Sequence, residues 1–157
     1  MAGKNIMKHE ILIYNKTKRR IPEKLIKLII SGALEFLKLK QPVELAVLVL
    51  NGVEIKKLNK VWRGKNDIPD ELSFGYNSHK MAEFARINSN MLSLGEIAIN
   101  IACLPVGKNR ISDRKHLSKI LIHALLHLLG YHHEKSAAEA KKTEHLEEQI
   151  LNNLEKV

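Results

Sequence analysis

Within 157 residues, the run His123-Ala-Leu-Leu-His127-Leu-Leu-Gly130-Tyr131-His132-His133 constrains the fold most. His123 and His127 stand four apart in an apolar, helix-forming stretch, so their rings share one helix face with Cβ atoms roughly 5–6 Å apart. Gly130 suits a left-handed residue just past a helix end. A turn there can fold the chain back and bring His133 to the same point. Three imidazoles with an open fourth position form a zinc arrangement used for catalysis.

The spacing H-x-x-x-H-x-x-G-x-x-H resembles the metzincin pattern with one loss. Those proteases keep a glutamate beside the first histidine as general base, and this chain has Ala124 there. The metal site is expected to stay, and peptide hydrolysis is argued against.

The length suits one domain, 1–157, with a real core. No apolar run approaches the ~20 residues of a membrane span, so no membrane association is expected. The longest, Ile120 to Leu129, is interrupted by His123 and His127. The N-terminus is charged too early for a signal peptide. Cys103 is the only cysteine, which excludes an internal disulfide framework and fits a reducing cytoplasm.

Net charge is +9, and the first 78 residues hold 15 of the 26 basic and 8 of the 17 acidic side chains. Lys16, Lys18, Arg19 and Arg20 are the densest cluster. Such a field favours a polyanion, with nucleic acid the first candidate. Three Phe, three Tyr and one Trp do not indicate a base-stacking platform. Recognition of phosphates and shape is the expectation.

The chain reads as strand, helix, strand, helix, strand, loop, strand, helix, helix. Glu10 to Tyr14 alternates as a strand, with Ile11 and Ile13 on one face. Pro22 opens a helix carrying Leu25, Ile26, Ile29, Ala33, Phe36 and Leu37 at helical spacing. Val43 to Leu50 reads as a central strand buried on both faces. Asn51-Gly52 is a turn, and Ile55, Leu58 and Trp62 mark a short amphipathic helix. Glu71 to Tyr76 is a short strand, and 77–91 a loop. Leu94 to Ile101 alternates, with Ile97, Ile99 and Ile101 on one face. Ser112 is expected to cap a motif helix over Asp113 to Leu129. Ser136 and Glu139 form a capping box for a last helix with Ala140, Leu146, Ile150, Leu151 and Leu154 inward. An α+β fold follows, a small mixed sheet packed with helices.

With these blocks placed, the chain resembles the YbeY-type endoribonucleases, also called rRNA maturation factors. Their signature is similar to H-G-x-L-H-L-x-G-Y-D-H, matched by His123 to His133. The family blocks L-N-x-x-Y-R-G, T-D-V-L-S-F and G-D-I are matched by Leu58 to Gly64, Pro69 to Phe74 and Gly95 to Ile97. The agreement runs over roughly residues 10 to 155. Departures are Ala124 for Gly, His132 for Asp, Pro69 and Glu71 in the second block, and Glu96 for Asp.

The resemblance implies a zincin-like fold with a four-stranded sheet and a cytoplasmic single-strand endoribonuclease. The activity it implies acts in maturation of the 16S rRNA 3′ end and in ribosome quality control. One zinc ion is implied at His123, His127 and His133. Arg63 is the implied functional arginine, charged at all pH values and shaped for phosphate oxygens. Ribosomal RNA, with small-subunit proteins or assembly factors, is the implied partner set. His116, seven residues before His123, and His132 are candidates for orienting a ligand or moving a proton. Two other classes remain: an RNA-binding assembly factor with a structural metal, and another metal hydrolase. The second would need a carboxylate such as Glu96 or Glu134 beside the metal.

Overall fold

The computed structural model describes residues 7–76, 91–105, 110–131 and 136–156. Four strands, β1 (Glu10–Asn15), β2 (Val43–Leu50), β3 (Glu71–Gly75) and β4 (Leu92–Asn100), form one sheet in the order β1-β2-β4-β3. β1, β2 and β4 run parallel, and β3 is antiparallel to β4 at the edge. The helices among the described residues are α1 (Glu23–Leu37), α2 (Gly52–Arg63), α3 (Arg110–Leu128) and α4 (Ala137–Glu155). The expected element order and the mixed α+β sheet are both observed.

Strand alternation separates two layers. Val43, Leu45, Val47, Val49, Ile97 and Ile99 share one cluster with buried residues of α1, α3 and α4. On the other face Leu50, Leu72 and Ala98 pack with Ile55 of α2, supported by Leu48, Leu58 and Phe74. β2 is therefore not buried on both faces. Its alternate residues Glu44, Ala46 and Leu48 stay partly exposed, and among the described residues α2 is the helix packed on that side. Trp62 departs from expectation as well, being 68% exposed. Its one described ring contact is with Phe74 of β3, edge-on at 5.9 Å.

α3 touches α1, α4, β3, β4 and the 3-10 turn Ile101–Cys103. Leu117, Leu121, Ile122, Ala124, Leu125 and Leu126 are fully buried along it, as expected for a helix covered nearly all round. It begins at Arg110, three residues before the expected start, so Ser112 lies within the helix and does not cap it. The end is as expected. Gly130 has φ +96, its N–H reaches the His127 carbonyl at 3.1 Å, and Tyr131 N–H reaches the Leu126 carbonyl at 2.9 Å. That pair of bonds is a Schellman cap, which needs a residue at ease with positive φ. The capping box of α4 also forms, Ser136 Oγ accepting from Glu139 N–H at 3.1 Å. The expected loop over 77–91 lies, apart from Met91, outside the described residues.

Candidate functional site

A helical offset of four places the His123 and His127 rings together, with centroids 4.5 Å apart and planes tilted by 42°. The Leu128 end and the Gly130 cap fix where the chain leaves them. α4 packs alongside and delivers Glu147, whose Oε1 lies 2.7 Å from His123 Nδ1. That hydrogen bond raises the His123 pKa above its ordinary value, against the lowering effect of burial; the Glu147 and Glu71 charges add to the rise. A carboxylate on Nδ1 is the arrangement in which a metal-binding histidine is usually held, with Nε2 as the ligand atom. His132 and His133 lie outside the described residues.

His123 opens into a cavity of about 580 Å³ that also exposes Arg63, Asp70, Glu71, His116 and Glu147. Arg63 ends α2, Asp70 and Glu71 stand at the start of β3, His116 and His123 share α3, and Glu147 comes from α4. Alternation along β3 turns Leu72 and Phe74 towards α2, so Glu71 faces α3. Burial pushes the Glu71 carboxyl above the usual range, while His123 and Arg63 pull it back. Its buried Oε2 has no hydrogen-bond partner among the described residues. A perturbed carboxyl in a cleft marks a functional position.

Arg63 closes α2. The connecting segment that follows is tied to Asn59, a fully buried residue whose Nδ2 donates to the carbonyl and to Oδ1 of Asp67, both at 3.1 Å. The Leu58-to-Gly64 block thus sets both the arginine and the approach to β3.

His116 points at Asp70 rather than at the histidine pair, with Nε2 3.9 Å from Oδ2. Cys103 donates to Asp70 Oδ1 at 3.3 Å. Burial first, then that hydrogen bond, push its thiol up to about 12. Asp70, Cys103 and His116 are therefore placed as a group able to hold a metal. Glu96 is elsewhere: it lies opposite Phe74 on the α2 face, where Tyr76 Oη donates to it at 3.3 Å. Glu134 lies outside the described residues.

Lys16, Lys18, Arg19 and Arg20 follow β1, at the opposite edge of the sheet from β3. Register puts them at the same strand end as the cavity. Asn15 is level with Val49, Leu50 with Asn100, and Glu71 with Ile99. Three strand spacings, about 14 Å, span the sheet between its edges.

Sequence reasoning missed Glu147 and Glu71. Glu71 carried a signal, an acidic residue opening a strand that a helix must cover. Glu147 carried none, because only the packing of α4 on α3 brings it to His123.

The family model described as Endoribonuclease YbeY matches residues 12–155. A Persephonella marina protein named Endoribonuclease YbeY is 33% identical over 87% of this chain and 86% of its own length. One from Aquifex aeolicus with the same name is 31% identical over 99% of both chains. A Thermotoga maritima protein solved in solution superposes with a TM-score of 0.55 at 25% identity, covering 92% of this chain and 88% of its own. No helix among the described residues is long and apolar enough to cross a membrane.

Proposed function

We infer that this chain, which belongs to the Endoribonuclease YbeY family, cleaves RNA with one zinc ion held by His123, His127 and His133. The observation that carries this is the His123–His127 ring pair, with Glu147 engaging Nδ1 of the first ring at 2.7 Å. Such a donor set fits zinc: imidazole nitrogens, one already oriented by a carboxylate, with His123 at the wall of an open cavity. When bound, zinc supplies Lewis-acid polarisation and water activation.

The remaining work falls to the chain's own groups. Glu147 holds His123 in one tautomer. Arg63, on the same cavity wall, binds the phosphodiester and balances the charge that develops as the bond to phosphorus breaks. The basic segment Lys16 to Arg20 engages flanking phosphates at the shared strand end, so affinity should fall steeply with salt. A flat log–log dependence would remove that segment from the RNA path. Maturation of the 16S rRNA 3′ end in the cytoplasm, with small-subunit proteins or assembly factors nearby, is the role this reading assigns. A non-nucleolytic assembly factor is the reading against which the cleavage assay discriminates.

Purified protein incubated with a defined ribosomal RNA fragment should cleave it. Chelator and His127→Ala should each abolish the cut, with the variant still folded by circular dichroism. Cleavage that survives both treatments would end the enzyme reading. A second reading, a metal hydrolase of another ester or amide, draws support from Glu71 in the cavity. Peptide hydrolysis lost in Glu71→Gln would favour it, and intact peptides beside cleaved RNA would dismiss it.

A further inference from the structure

We propose that Asp70, Cys103 and His116 form a second cation site, binding one divalent ion of the zinc class apart from the histidines of α3. The ligands come from three places: the residue before β3, the 3-10 turn after β4, and the first half of α3. Their ligand atoms all lie within 4.8 Å of one another. Asp70 stands between the other two, Oδ1 accepting from Cys103 Sγ at 3.3 Å and Oδ2 lying 3.9 Å from His116 Nε2. Around a tetrahedral ion with bonds of about 2.0–2.3 Å, neighbouring ligand atoms are about 3.3–3.6 Å apart. The group is close to that spacing, and the His116 and Asp70 side chains, 55% and 60% exposed, have room to close it.

The backbone beneath is fixed. Asn100 N–H donates to the Asp70 carbonyl at 2.9 Å, and Asn100 Oδ1 accepts from Ala102 N–H at 3.0 Å, which starts the turn carrying Cys103. α3 packs on that turn. One sulfur, one nitrogen and one oxygen donor select zinc, cobalt or cadmium over magnesium or calcium. Coordination replaces the thiol proton, which passes to solvent.

His116 and His123 are seven residues apart, about 10 Å along a helix. A bridged two-metal centre needs about 3.5–4 Å. The second ion would therefore act alone, joining β3, β4 and α3 at the cavity wall that Asp70 and His116 share with Arg63.

Cobalt(II) reads the two sites separately. Metal-stripped full-length protein should develop a thiolate-to-cobalt charge-transfer band in the near ultraviolet, complete by the second equivalent per chain. Cys103 is the only cysteine, so no other residue can produce it, and imidazoles give none. Cys103→Ser should erase the band. His116→Ala and Asp70→Ala, at exposed positions, should each weaken the titration at least tenfold, and they carry the test if the Cys103 variant misfolds. Zinc reconstitution should give two ions per chain in the parent and one in Cys103→Ser. One ion in both, no band at saturating cobalt, or midpoints unmoved in the His116 and Asp70 variants would overturn the proposal. A single ion that is lost with Cys103 would uphold it and remove the histidine site instead.

Discussion

The two faces of the sheet are built to different depths, and the site draws on both. One face carries α1, α3 and α4 over a large continuous core. The other carries α2, whose Ile55 packs on a small buried cluster of Leu50, Leu72 and Ala98. The thick side holds His123, His127 and Glu147. The thin side ends in Arg63. The groups proposed to meet a cation sit on the layer where close packing leaves side chains few alternatives. The group proposed to meet the larger substrate sits at the end of a helix held by one apolar stripe and the Asn59–Asp67 tie.

The largest difference should appear in stability. Leu121→Ala, at a fully buried position of α3, should cost about 2–5 kcal/mol, because the packed surroundings cannot collapse into the space. Leu58→Ala, partly exposed on α2, should cost less than half as much by denaturant titration. Equal losses would erase the contrast between the layers.

Next in size is Arg63→Ala. Removing one donor to a developing oxyanion costs about 10²–10³ in kcat, and this variant should show that loss with zinc content unchanged. Lost zinc would make Arg63 part of the metal framework. Glu147→Gln should be milder, weakening zinc affinity about 10–100-fold while leaving the fold intact. An unchanged affinity would mean that the α4 carboxylate does not orient His123.

Much of this was legible beforehand. The His123 and His127 spacing, the Gly130 turn and the Ser136–Glu139 box are local devices whose geometry depends on residues within about one helical turn, and the structure forms all of them. The start of α3 was misread, because Ser112 suits a cap but nothing in the preceding residues prevents the helix beginning at Arg110. Trp62 differs because helical spacing says which side a residue faces, not how much of its surface the neighbours cover.

By itself, then, the sequence determined the element order, the apolar faces and the pairing of His123 with His127, since each follows from periodicity and capping within a single segment. Only the tertiary structure decided that Glu147 meets His123, that Glu71 and Arg63 share one cavity, and that Asp70, Cys103 and His116 converge. The Glu147 and Cys103 meetings join residues 24 and 33 positions apart, and all of them depend on how helices settle on the sheet, a packing outcome no local pattern encodes.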